Sequence, residues 1–149
     1  MPYLVDGDNL LGSWPGRRRS DAERRALGVE LQRLAHHWRR RITAVFDGRA
    51  PTALSAGGGV RFAGPGQSAD QVILALLRAE SDPAGWVVVT SDRSLGDQCR
   101  YLGARVERCD RFRQRMAARA EQEKPDRVDD LDEWLELFDD DREEPGGRD

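Results

Sequence analysis

Three short apolar runs in this chain each stop at an aspartate: Tyr3-Leu4-Val5 at Asp6, Ile42 to Phe46 at Asp47, and Trp86 to Thr90 at Ser91-Asp92. Runs of this length, rich in β-branched residues and bounded by glycine, proline or aspartate, read as buried strands. Segments with helical periodicity lie between them, so strands and helices alternate along the chain. Strand, crossover helix and strand in succession give a parallel sheet with its faces covered. The expected class is therefore α/β, a mostly parallel central sheet with helices on both faces. In such sheets ligands bind outside the carboxyl ends of the strands, and Asp6, Asp47 and Asp92 all fall there.

The remaining elements follow from caps and spacing. Asp6-Gly7-Asp8-Asn9 reads as a turn, and residues 10 to 19, with Gly12, Pro15 and Gly16, as a loop. Ser20 and Glu23 form a capping box ahead of Leu27, Leu31, Leu34, Ala35 and Trp38, which predicts one amphipathic helix to about Arg40. Val60-Arg61-Phe62 supplies a short strand, and Ser68 caps a helix whose first turn holds Asp70 and whose apolar face holds Val72, Ile73, Leu76 and Leu77. A helix over about 94–102 ends at Gly103, Ala104 to Arg108 gives a last strand, and Asp110 is expected to cap a helix to about 123.

Charge divides the 149 residues unevenly. Residues 126–149 hold 12 acidic residues and 3 arginines, a net of −9, which leaves +6 on residues 1–125. A domain over 1–123 and an acidic tail over 124–149 are expected, the tail carrying one amphipathic helix at about 127–139 (Val128, Leu131, Trp134, Leu135 and Phe138) and a disordered end. Three roles fit the tail: docking on the body, covering its basic surface, or binding a protein partner. No run approaches the ~20 apolar residues of a membrane span, and the N-terminus lacks the pattern of a signal peptide, so a cytoplasmic protein with no membrane contact is expected. Cys99 and Cys109 have neither a CxxC pair nor a histidine at ligand spacing, which argues against zinc and for two buried thiols. Gly57-Gly58-Gly59 precedes a strand rather than opening a helix, so a phosphate loop is not supported.

A parallel sheet gathers Asp6, Asp47, Asp70 and Asp92 into one crevice although they are distant in sequence. Carboxylates held close in a partly desolvated cleft oppose each other's ionisation, and a bound divalent cation relieves the repulsion. Oxygen-only donors select hard ions such as Mg²⁺ or Mn²⁺, which suit phosphodiester hydrolysis. Any one of these aspartates by itself is ordinary turn or cap chemistry. Their joint placement is what points to catalysis.

The same residues resemble a family. Val5-Asp6-Gly7-Asp8-Asn9-Leu10 is similar to the opening D-G-x-N motif of the NYN domain, and Val45-Phe46-Asp47, Ser68-Ala69-Asp70 and Thr90-Ser91-Asp92 follow in the family's order. With Gly12 and Trp14 the likeness is to the bacterial YacP-like branch, over roughly residues 2–115. The resemblance implies a PIN-like fold and a Mg²⁺- or Mn²⁺-dependent endoribonuclease acting on single-stranded or ribosome-associated RNA. It implies Asp6, Asp70 and Asp92 as metal ligands, Asp47 as a further catalytic acid, and Asn9 and Ser91 as part of the substrate-binding set, Asn9 orienting a ligand or phosphate and Ser91 also supporting Asp92. One departure is the helix after Asp70, which continues Gln71-Val72-Ile73-Leu74 where family members often carry another acid. That departure favours an alternative, a non-catalytic RNA-binding module on the same fold with a degenerate metal site.

Arg17, Arg18 and Arg19 lie in the loop after the first motif, placed to hold RNA phosphates, while Arg39, Arg40 and Arg41 are expected to offset the carboxyl end of the first helix. Trp14 is placed either to stack on a base or to anchor its loop. Asp8 is expected to face solvent rather than add a fifth carboxylate, Asp97 to lie on a solvated helix face rather than serve as an outer ligand, and His36 and His37 to lie on a polar helix face.

Overall fold

The computed structural model describes residues 1–49 and 59–122. Five strands form one sheet: β1 (Tyr3–Asp6), β2 (Ile42–Phe46), β3 (Val60–Phe62), β4 (Val87–Val89) and β5 (Arg105–Glu107), in the order β3-β2-β1-β4-β5. Every pairing is parallel, so the expected mostly parallel sheet is wholly parallel among the described residues. The helices are α1 (Gly7–Gly12), α2 (Asp21–Trp38), α3 (Ala69–Arg78), α4 (Arg93–Tyr101) and α5 (Cys109–Gln122). A compact unit spans Met1–Arg115. The expected domain boundary at 123–124, the helix at about 127–139 and the chain end lie outside the described residues.

Register explains the layering. Leu4 pairs with Thr43 and Val88, and Asp6 pairs with Val45, so alternation puts Leu4, Asp6, Val45 and Val88 on one face. That face packs on α3 and α4 through Ile73, Leu77, Leu95 and Cys99, all fully buried. On the opposite face Tyr3, Trp38 and Phe112 make a three-ring cluster with centroids 5.7 to 6.0 Å apart. β1 is central and its four residues are all buried, which is why its terminal aspartate lies in a dry crevice.

Local chemistry fixes the helix starts. Ser68 and Gln71 complete a reciprocal capping box on α3, at 3.2 and 2.9 Å. At α2 only half of the expected box forms: the Ser20 hydroxyl accepts from the Glu23 amide at 3.1 Å, but the Glu23 carboxylate is taken by Arg17. Two further expectations are corrected. Residues Gly7–Gly12 form a helix where a turn and the start of the loop were expected, the loop itself running over 13–19, and α5 starts at Cys109, whose amide donates to the Ser91 hydroxyl at 2.9 Å, so the cap comes from Ser91 and not from Asp110. No helix among the described residues is long and apolar enough to cross a membrane.

Candidate active site

The sheet's carboxyl edge turns abruptly after Asp6, because α1 begins at the next residue. A side chain at Gly7 would run into the Phe46 ring, so only glycine lets β1 pass directly into a helix beside β2. This turn presents three polar side chains in four residues: Asp6, Asp8 and Asn9.

Asp6 is 5% exposed, and its Oδ2 accepts a hydrogen bond from the Thr90 hydroxyl at 2.9 Å. Burial pushes its carboxyl up to about 7, with the charges of Asp70, Asp47 and Asp8 adding to the rise and the Thr90 bond opposing it. Thr90 has one hydroxyl proton, given to Asp6, and its oxygen accepts from the Asp92 amide at 3.1 Å. A single residue thus ties the end of β1 to the start of α4. Sequence reading passed over Thr90, although the register that pairs Leu4 with Val88 puts position 90 beside Asp6 on the same face.

Asp92 caps α4, its Oδ1 accepting from the Leu95 amide at 3.2 Å. Asp47 performs the same service for α3 from outside it, accepting from the Ala69 amide at 2.8 Å. The next residue, Asp70, has a carboxyl raised by burial first, then by Asp92 and Asp47. Asp70 therefore links the four expected aspartates, its charge acting on Asp6 while it feels those of Asp92 and Asp47. Asp6, Asp47 and Asp92 each commit one oxygen to a protein donor, which orients the carboxylate and leaves its other oxygen without a bond among the described residues.

This donor set suits a hard divalent cation, since it is oxygen-only and carries repulsion that a cation relieves. As they stand, no three His, Cys, Asp or Glu side chains among the described residues are drawn tightly enough together to ligate one ion. Residues that would hold it are Asp6, Asp70 and Asp92, with Asp47 beside them.

Asn9 acts inside the framework. Its Oδ1 accepts from the Ser91 amide at 2.7 Å and from the Cys109 thiol at 3.2 Å, joining α1, the β4–α4 turn and the start of α5. Ser91 in turn spends its hydroxyl on Cys109 rather than on Asp92. Both cysteines are free and buried; burial raises both thiols, Cys99 to about 11.

Asp8 departs from its expected place in solvent. It is 3% exposed, one oxygen on the Arg24 guanidinium at 2.9 Å and the other on the Asp47 amide at 2.8 Å. It locks the end of β2 to α1 and thereby sets the direction of Asp47. Asp97 does sit on an exposed helix face, paired with Arg100 at 3.3 Å.

The arginines divide. Arg17 is held by Glu23 at 2.7 Å and Glu30 at 3.1 Å and lies 4.5 Å over the Trp14 ring, so this guanidinium and this indole anchor the loop to α2. Arg18 and Arg19 are exposed. Arg39 to Arg41, with His36 and His37, line a cavity of about 990 Å³ at the amino ends of the strands, away from the carboxylates.

The profile of the YacP-like NYN domain family matches residues 3–134. Among solved structures the chain is similar to a point mutant of Rae1 (YacP) from Bacillus subtilis, at 25% identity over 82% of this chain and 80% of that one, with a TM-score of 0.66. Another crystal structure of Rae1 (YacP) from Bacillus subtilis shares the fold at 20% identity over 95% and 94% of the two chains, with a TM-score of 0.59. Comparison with curated proteins finds no significant match.

Proposed function

The chain belongs to the YacP-like NYN domain family, whose wider NYN class consists generally of nucleases, and on that premise we propose that it is a metal-dependent endoribonuclease. The observation that carries the reading is the convergence of Asp6, Asp47, Asp70 and Asp92 from four separate elements onto one sheet edge, close enough that neighbouring carboxylates raise the carboxyls of Asp6 and Asp70. Such repulsion lowers stability, and a fold that retains it has a use for the charge.

Mg²⁺ or Mn²⁺ is the proposed cofactor, held by Asp6, Asp70 and Asp92. Bound there, it would supply Lewis-acid polarisation of a phosphoryl oxygen and a lowered pKa for an attacking water. The chain's own part is orientation. Thr90 turns Asp6, the amide of Leu95 turns Asp92, the amide of Ala69 turns Asp47, and Asn9 keeps the β4–α4 turn against α1. Burial holds the Asp6 carboxyl protonated up to about pH 7, and Asp6 would have to give up that proton to serve as a ligand. RNA, single-stranded or presented on a ribosome, is the proposed substrate, with Arg18 and Arg19 the exposed members of the loop cluster.

One observation favours the second reading, a non-catalytic RNA-binding module: the helix after Asp70 continues Gln71-Val72-Ile73-Leu74 without a further acid, and the Gln71 side chain is spent on the α3 capping box. Cleavage of a labelled single-stranded RNA with Mn²⁺ or Mg²⁺, against an EDTA control and Asp92→Asn, separates the two. The nuclease reading expects metal-dependent cleavage lost in the variant. Binding with no cleavage under either metal would replace it with the module.

A further inference from the structure

We infer that a cavity beside Asp92, between α4 and β5, is a phosphate subsite for single-stranded RNA built from Arg93, Arg100 and Arg108. This deepens the nuclease reading and rests on it. The cavity is about 160 Å³ and is lined by those three arginines together with Asp92, Gly96 and Asp97. At ~30 Å³ per water it holds about five waters, room for a phosphoryl group and its hydration but not for a whole nucleotide.

The geometry follows from α4. Arg93 and Arg100 are seven residues apart, two helical turns on one face, and Gly96 between them puts no side chain into the space. Arg108 follows β5 directly and closes the other side. These guanidinium groups are lightly committed. Arg93 has no ion pair among the described residues; Arg100 meets Asp97 at 3.3 Å and Arg108 meets Asp110 at 3.7 Å, with all four side chains more than half exposed. Pairs of that kind contribute little and exchange readily for a phosphate, which a guanidinium binds in bidentate fashion. Arg17 offers the contrast, with its charge already spent on two carboxylates.

A carboxylate crevice repels an approaching polyanion, so RNA needs fixed positive charge immediately beside it. The cavity supplies three arginines against two aspartates at the wall nearest Asp92, whereas the larger basic cavity lined by Arg39 to Arg41 lies at the far ends of the strands. A phosphate in the subsite anchors one side of the strand while a neighbouring phosphodiester lies over the carboxylates.

The test is fluorescence anisotropy of a labelled short single-stranded RNA with the full chain in calcium buffer, measured across a series of salt concentrations. Arg93→Gln/Arg108→Gln should weaken binding about tenfold at low salt and reduce the slope of log K against log salt by about 0.7, the value for one phosphate contact on a single strand. Asp97→Asn should tighten binding, and Arg39→Gln/Arg40→Gln should leave affinity and slope unchanged. The substituted side chains are exposed, so melting temperatures should match the wild type. Equal weakening by the two double variants, or an unchanged slope for Arg93→Gln/Arg108→Gln, overturns the subsite while leaving the nuclease reading intact. Wild-type protein that fails to bind RNA at any salt overturns both.

Discussion

Asp6→Asn should stabilise the metal-free protein at pH 8, although it removes a central group of the candidate active site. The Asp6 carboxyl rises from 3.8 to about 7, chiefly through burial. Between those values the folded state holds a proton that the unfolded chain has released. Stability from this group is therefore full below about pH 4 and declines as pH rises, by about 1.4 kcal/mol per unit, until it levels above about pH 7. The cumulative cost by pH 8 is about 4 kcal/mol, against about 1.5 kcal/mol at pH 5. An amide still accepts the Thr90 bond but adds a buried donor worth about 1–2 kcal/mol in lost hydration. The net gain is about 2 kcal/mol at pH 8 and close to zero at pH 5. For a chain of this size each kcal/mol moves the melting temperature by about 2–4 °C, so circular dichroism melting in EDTA should show the variant about 4–8 °C above wild type at pH 8 and level with it at pH 5. A variant no more stable than wild type at pH 8, or a difference independent of pH, would refute the argument that Asp6 is held in an unfavourable charge environment.

Other perturbations probe the framework. Adding Mn²⁺ at pH 8 should raise the melting temperature of the wild type and raise that of Asp6→Asn less, since the ion's binding free energy adds to folding only where its ligands persist; equal shifts would count against Asp6 as a ligand. Thr90→Val leaves Asp6 Oδ2 and the Asp92 amide without their partner, costing about 1–3 kcal/mol, and, because the Thr90 bond favours the charged form, it should move the acidic limb of a pH–rate profile to higher pH. An unmoved limb would mean that Thr90 is merely structural. Gly7→Ala should destabilise by about 1–3 kcal/mol or prevent folding, through collision with Phe46, as read by urea denaturation. Asp8→Ala should cost about 2 kcal/mol or more by stranding the Arg24 guanidinium and the Asp47 amide, and a stability within 0.5 kcal/mol of wild type would show the pair to be incidental.

The sheet was legible because its strands are short buried runs that carry their own stop signals, and an aspartate closing such a run falls at the carboxyl edge whatever the strand order. Asp6, Asp47, Asp70 and Asp92 could therefore be gathered from sequence alone. What could not be read was partnership across distance. Asp8 looks like a turn residue until Arg24, sixteen positions on, and the Asp47 amide close over it. Arg17 looks like a phosphate ligand, yet Glu23 and Glu30 stand seven residues apart on one face of α2 and together capture it, a spacing that was visible in the sequence. Ser91 looks like a support for Asp92 and serves α5 instead, because the strand that returns through β5 delivers the Cys109 amide to it. Capping from a distant segment leaves no local signature, and for that reason the start of α5 was misplaced.

The proposed hydrolysis at this carboxylate centre requires that water, not the RNA's own 2′-hydroxyl, attack the phosphorus. The direct test is end-group analysis of the products formed from a defined single-stranded RNA with Mn²⁺ or Mg²⁺, using wild type and Asp70→Asn. The account predicts products free of 2′,3′-cyclic phosphate, formed only with the metal and only by the wild type. Cyclic phosphate ends, or cleavage that persists in EDTA or in Asp70→Asn, would contradict it.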